Sequence, residues 1–169
     1  MSSPLPSLDP LTPADFPLLA DLADRIWRAH YGAMIPMAQI EFMLAGRTTP
    51  ERLSTYLGSD RRWMHLLRLD GQPAGYCSHA LTDTPGEMKL EQLYLLPELH
   101  GRGLGGLMMD LVEGHARSLG CTTLMLQVNK RNEGSLAVYR KRGFEVREAA
   151  VFDLGNGFVM DDYVMVKAL

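Results

Sequence analysis

The segment His100–Gly106, HGRGLGG, concentrates residue types suited to binding an anion. Its glycines at 101, 103, 105 and 106 let a backbone turn tightly and come close to a ligand. They lie between an apolar run ending near Leu96 and an amphipathic stretch beginning at Leu104. A glycine-rich turn that opens a helix gathers backbone N–H groups at the positive end of the helix dipole, which is a phosphate-binding arrangement. Arg102 adds a mobile guanidinium, better suited to a diphosphate with several charged oxygens than to one carboxylate. Gly101, Gly103 and Gly106 satisfy the G-x-G-x-x-G spacing of dinucleotide-binding turns, but the rest of that motif is missing. PELH separates the preceding strand from Gly101, and the next strand ends in Gln127, Val128 and Asn129 where a ribose-binding acid belongs. A nucleotide P-loop fails as well, because Leu107 and Met108 follow the last glycine in place of lysine and a hydroxyl. The competing reading is a helix-entry turn whose glycines serve close packing alone.

Other chemistries find less support. His30, His65, His79, His100 and His115 show no H-x-x-x-H or H-E-x-x-H spacing, so no metal is expected. Cys77 and Cys121 lie far apart in apolar surroundings and read as reduced thiols of a cytoplasmic protein. No serine or cysteine stands in a recognisable nucleophile setting beside a histidine. Seventeen Lys and Arg against twenty Asp and Glu give a net charge of −3, with no basic block to track a nucleic acid. The N-terminus lacks the basic and apolar regions of a signal peptide, and nowhere do about 18 apolar residues run together. Neither nucleic acid nor membrane is an expected partner.

The elements that must position the loop follow from periodicity. The 169 residues suffice for one domain, 1–169. Thr12 and Pro13 open a helix running to about Tyr31, with Asp15 in its first turn, and two shorter helices follow between Pro36 and Leu57. Trp63–Leu69, Ala74–Leu81 and Met88–Leu96, separated by DGQP and DTPG, read as three antiparallel strands. From Leu104 the apolar period changes to three and four, giving a helix stopped at Gly120. CTTLMLQV is a buried strand, Asn132 caps a helix through Arg142, and a hairpin turned at GNG joins Phe144–Leu154 to Phe158–Val166.

EQLYLLPELHGRGLGGLMMDLVEGHA, followed by LMLQVNKRNEGSLAVYRKRGFEV and MDDYVMVKAL, resembles the Gcn5-related N-acetyltransferase superfamily over roughly the C-terminal half of the chain. The first block corresponds to that family's acetyl-CoA loop, with Gly103 and Gly105 on its glycines and His100 where glutamine or arginine is usual. The second is similar to its N-x-x-A/S-x-x-x-Y-x-x-x-G-F segment, matched by Asn132, Ser135, Tyr139, Gly143 and Phe144. The resemblance implies an α/β domain with a mixed, mostly antiparallel twisted sheet of six to seven strands flanked by helices. It also implies that the main chain of Leu93, Tyr94 and Leu95 pairs with the pantetheine arm of acetyl-CoA. The amides of Gly101, Arg102, Gly103, Leu104, Gly105 and Gly106 would take the diphosphate, with Asn132 and Tyr139 near the coenzyme.

Acyl transfer to nitrogen needs an unprotonated amine, a donor for the developing oxyanion and help for the departing thiolate. Tyr139, on one helix face with Asn132 and Leu136, is the candidate for the last task. A phenol near 10 protonates a thiolate near 8.5 only at a cost of about 2 kcal/mol, so Tyr139 is expected mainly to hydrogen-bond the sulfur. Stripping an alkyl ammonium at pH 7 costs about 4.6 kcal/mol, which makes a base useful. Gln127 stands where some family members carry a glutamate, and Glu91 is the candidate instead, expected by alternation to share a face with Leu93 and Leu95. Its competing reading is a solvated carboxylate paired with Arg or Lys. Asp161 and Asp162 read either as attracting a cationic acceptor or, preferably, as blunting an edge strand. Trp27, Tyr31, Met34 and Met37 read as core packing before pocket lining.

The expectation is therefore an acetyl-CoA-dependent N-acetyltransferase acting by direct transfer on a primary amine of a small molecule, closest by analogy to the polyamine branch. The last hairpin offers an edge for a homodimer. A non-catalytic acyl-CoA sensor and a dinucleotide-dependent oxidoreductase are the alternatives from other classes.

Overall fold

A computed structural model describes residues 3–169. The chain forms one seven-stranded sheet with spatial order β1-β2-β3-β4-β5-β7-β6, covered by helices on both faces. Its strands are β1 (Pro6–Pro10), β2 (Arg62–Leu69), β3 (Gln72–Leu81), β4 (Glu87–Leu95), β5 (Thr123–Asn129), β6 (Glu145–Gly155) and β7 (Phe158–Ala168). The helices are α1 (Phe16–Tyr31), α2 (Met37–Arg47), α3 (Pro50–Ser54), α4 (Leu104–Ser118) and α5 (Glu133–Lys141). Every neighbouring pair is antiparallel except β4 and β5, which run parallel across the α4 crossover. Parallel neighbours need such a crossover because a tight turn cannot bring the chain back to the same end. The mixed, mostly antiparallel α/β sheet expected from the sequence is the one found. No helix among the described residues is long and apolar enough to cross a membrane, and both cysteines are free and buried.

The two faces bury separate cores. Leu104, Met108, Met109, Val112 and Ala116 of α4 pack with Leu136 of α5 on Cys77, Met88, Leu90, Leu124, Leu126 and Met165 of the sheet. On the other face Leu19, Leu22, Ile26 and Trp27 of α1, Ile40 and Met43 of α2 and Leu53 of α3 cover Met64, Leu66, Tyr76 and Met160. The β2–β3 hairpin turns on Asp70 and Gly71, both at positive φ (50° and 80°), the twist that suits a two-residue connection.

Three local expectations need correction. The proline-rich lead contains β1, an edge strand pairing with Leu69–His65 of β2; the two prolines bound it, where their missing N–H groups disturb the ladder least. A 3-10 turn, Pro13–Asp15, precedes α1, and Asp15 bends back to accept from the Thr12 N–H and Oγ1, both at 2.9 Å, and from Arg68 at 2.7 Å. Glu91 does not share a face with Leu93 and Leu95. Ser78 pairs with Gln92 and His79 with Leu90, so Glu91 is the extra residue of a β-bulge. The bulge reverses the side-chain phase of β4. Glu91 and Tyr94 turn toward the α1–α3 face, whereas Leu93 and Leu95 pack toward α4.

Candidate active site

The parallel ladder between β4 and β5 ends at the pair Leu90 and Leu126. Beyond it, Leu93–Leu95 of β4 stay bonded to β3, and Gln127–Asn129 of β5 stay bonded to β7. The bulge at Glu91 bends β4 where the strands part. The resulting gap leaves the β5-facing backbone groups of Leu93–Leu95 without a strand partner. Buried backbone groups are normally paired, so this stretch of edge is suited to an extended ligand.

At the end of β4 a 3-10 turn, Pro97–Leu99, leads through His100 into the glycine loop. Gly101 and Gly103 adopt φ of 80° and 79°, a left-handed conformation that a side chain would strain. A Cβ at either position meets no atom within 4 Å, so the backbone angle, not crowding within the chain, demands glycine. The first bond into α4 runs from the Leu107 N–H to the Gly103 carbonyl at 3.1 Å, and the amides of Gly101–Gly106 find no acceptor among the described residues. Six donors at the start of a fifteen-residue helix form an anion cradle. Arg102 is exposed beside it. Leu104 presents only its amide, because its side chain anchors the α4 core. His100 turns away, its Nε2 lying 3.2 Å from the Leu95 carbonyl oxygen and fastening the loop to β4.

The α5 residues arrive from the far side of the gap. Asn132 caps α5, with Oδ1 accepting from the Ser135 N–H at 3.2 Å, while Nδ2 donates to His30 Nε2 at 3.0 Å. One end of its amide thus caps α5 and the other ties that helix to α1. Tyr139 packs against Phe144 with ring centroids 5.7 Å apart. Burial, with the Tyr94 phenol nearby, pushes its own phenol well above the ordinary value. Tyr31 and Tyr94 complete the aromatic wall, their hydroxyls 3.0 Å apart.

On the α1–α3 face the gap opens into a cavity of about 240 Å³ lined from all three helices and from β2, β4, β5, β6 and β7. Glu91 lies there, but Arg62 holds it at 3.3 Å and the Tyr56 hydroxyl donates to it at 3.3 Å. Asp162 differs. It is 5% exposed, and its Oδ1 has no hydrogen-bond partner among the described residues. Burial raises its pKa to about 6, helped by the charge of Asp161, against the opposing pull of Arg47, Lys89 and Lys130. Asp161 points outward to Lys130 at 2.7 Å. The two adjacent acids thus part, one to solvent and one into the cavity.

The glycine loop follows the Leu93–Leu95 edge directly, and Tyr139 lies near Tyr94. Asp162 does not blunt an edge strand, because β7 lies between β5 and β6; it lines the cavity instead. A signal was present: alternation along β7 sets Asp162 in phase with buried Met160 and Val164, an acid in an apolar register. Arg47 and Tyr56 carried no such signal and enter the site only through folding. Three of the histidines also meet away from the cavity, with His79 Nε2 2.8 Å from His115 Nδ1 and the His65 ring stacked on His79.

The profile of the acetyltransferase (GNAT) family matches residues 25–144. An uncharacterized N-acetyltransferase of Mycobacterium bovis is 35% identical over 118 residues, which span 70% of this chain and 74% of that protein. The IAA acetyltransferase of Azospirillum brasilense is 26% identical over 95 residues, 56% of this chain and 61% of that protein. The crystal structure of the PaiA N-acetyltransferase of Thermoplasma acidophilum, in complex with coenzyme A, superposes with a TM-score of 0.82 at 20% identity over 100% of both chains. At that identity the likeness is one of fold.

Proposed function

This chain belongs to the acetyltransferase (GNAT) family, and on that premise we propose that it acetylates a primary amine of a small molecule by direct transfer, with Asp162 accepting the amine's proton and Tyr139 assisting the departing sulfur. It is an acetyl-CoA-dependent N-acetyltransferase, which sets aside both the sensor and the oxidoreductase readings of the glycine loop. The observation that carries the mechanism is the unpartnered Asp162 carboxylate in the cavity beside the strand gap.

Acetyl-CoA, when bound, supplies the acetyl group as a thioester. The residues present fit it: the six free amides of Gly101–Gly106 suit the diphosphate and the open edge of Leu93–Leu95 suits the pantetheine arm. Asp162 faces an energetic constraint. Moving a proton from an alkyl ammonium near 10.4 to a carboxylate near 6 costs about 6 kcal/mol, against about 9 kcal/mol for an ordinary aspartate. Burial therefore makes Asp162 the better base, and the transfer is easiest once bond formation makes the nitrogen acidic. We assign the proton to Asp162 over Glu91 because Arg62 and Tyr56 already occupy the Glu91 carboxylate. Tyr139 acts as a hydrogen-bond donor to sulfur, since its raised pKa makes full proton donation costly.

The cavity is small against the roughly 300–1,000 Å³ of drug-sized sites, which supports a compact acceptor over a polymer. A polyamine acceptor is less well supported: Arg47, Arg52, Arg62 and Lys89 line the cavity against only Glu91 and Asp162. The test pairs calorimetric titration of acetyl-CoA with thiol release across a panel of amines. Saturable, amine-dependent release is expected. Tight coenzyme binding with no release from any amine would overturn the catalytic reading.

A further inference from the structure

Four cations line the acceptor cavity, and they are not equivalent. Arg62 is held by Glu91 and donates to the Tyr56 hydroxyl at 2.8 Å. Lys89 donates to Gln127 Oε1 at 3.4 Å, and Arg52 is exposed on α3. Arg47, at the end of α2, is half-buried and makes neither an ion pair nor a side-chain hydrogen bond among the described residues. Its guanidinium stacks on the Trp27 ring, 5.2 Å from the centroid. Trp27 is a rigid platform, fully buried with its Nε1–H donating to the Tyr76 hydroxyl at 2.9 Å.

Resting on that reading of the site, we propose that the acceptor amine carries an anionic group, a carboxylate or a phosphate, which Arg47 binds from its stacked position over Trp27. A guanidinium offers planar paired donors that match either group, and a flat aromatic support holds the fork in place before the ligand arrives. The helix end favours a cation at position 47 in general. That preference is met equally by an arginine directed into solvent, and does not account for one turned onto Trp27 inside a cavity. The arrangement also serves the chemistry. Arg47 opposes the proton affinity of Asp162, so an anion that neutralises Arg47 raises that affinity as the acceptor enters. Selection and proton acceptance are thereby coupled through one side chain. A polycation instead adds charge to an already cationic cavity.

Purified protein with acetyl-CoA is assayed by thiol release on α- and ω-amino acids, their carboxamides, the decarboxylated amines, aminoalkyl phosphates, and diamines. The anionic member of each matched set is expected to exceed its uncharged partner by roughly tenfold or more in kcat/KM, and the carboxylate and phosphate arms identify which group is used. Arg47→Gln is expected to collapse that ratio toward one, chiefly through KM, and Arg47→Lys to restore part of it. Diamines or uncharged amines equal to or better than the anionic members overturn the proposal while leaving acetyl transfer intact. So does an unchanged ratio in Arg47→Gln. Coenzyme binding without turnover of any amine overturns the acetyltransferase mechanism and this proposal together.

Discussion

Two of the buried carboxylates, Glu113 on one face of the sheet and Asp162 on the other, are treated in opposite ways. Glu113 of α4, 5% exposed, receives the Lys167 ammonium at 2.6 Å and the Arg142 guanidinium at 3.3 Å. Asp162 of β7, equally buried, keeps one oxygen without a partner and a raised pKa. The first arrangement satisfies a charge and ties α4 to the end of β7. The second leaves a charge unsatisfied beside a cavity, where an incoming ligand can use it. Buried carboxylates are costly unless paired. On the proposed reading, burial alone does not mark a functional acid; the missing partner does.

Removing the charge of each carboxylate tests the contrast most strongly. Asp162→Asn should lower kcat by about 10²–10⁴-fold, the range for loss of a general base, with acetyl-CoA affinity retained. In the native protein kcat/KM should rise as pH rises through about 6. Stability should move the other way. The folded-state pKa lies above the ordinary 3.8, so the native chain holds this proton more tightly than the unfolded chain does. That stabilisation is fully present below about pH 4 and lost as pH rises through about 6. Asp162→Asn should therefore raise stability at pH 8 by up to about 3 kcal/mol and change it little at pH 4, as read by urea denaturation at both values. A variant both slower and less stable at pH 8 would erase the distinction from Glu113.

Glu113→Ala should instead destabilise by about 3 kcal/mol, leaving Lys167 and Arg142 facing each other, while the folded fraction retains its turnover. Activity lost at full stability would give Glu113 a place in the site. Tyr139→Phe should reduce kcat by about 10²-fold, with acetyl-CoA affinity measured by calorimetry nearly unchanged. Glu91→Gln is the smallest effect: less than about 1 kcal/mol in stability for a partly exposed pair, and an unchanged pH profile. Should Glu91→Gln abolish the acidic limb while Asp162→Asn preserves it, the two cavity acids exchange roles.

The glycine-loop side of the molecule was the more legible one. Gly101 and Gly103 reveal themselves because few other residues tolerate their backbone angles, and the α4 stripe places the loop at a helix entry. The β4 bulge was hidden, because the apolar run through Leu96 contains no local mark for an extra residue. Its consequence was to turn Glu91 away from Leu93 and Leu95. In β1 the prolines argued for an irregular lead, and only the open edge of β2 made a strand of it.

Backbone chemistry and periodicity are local, so the chain on its own determined the helix entry, the amides it exposes, the order of its strands and helices after β1, and the phenol carried on α5. The cavity beside the strand gap draws side chains from three helices and five strands. Pairing of Glu91 with Arg62 and stacking of Arg47 on Trp27 join residues 29 and 20 positions apart, and Asp162 is left without company. Such relations depend on distances set by sheet register and helix packing. Tertiary structure alone decided which charges are cancelled and which remain for a ligand.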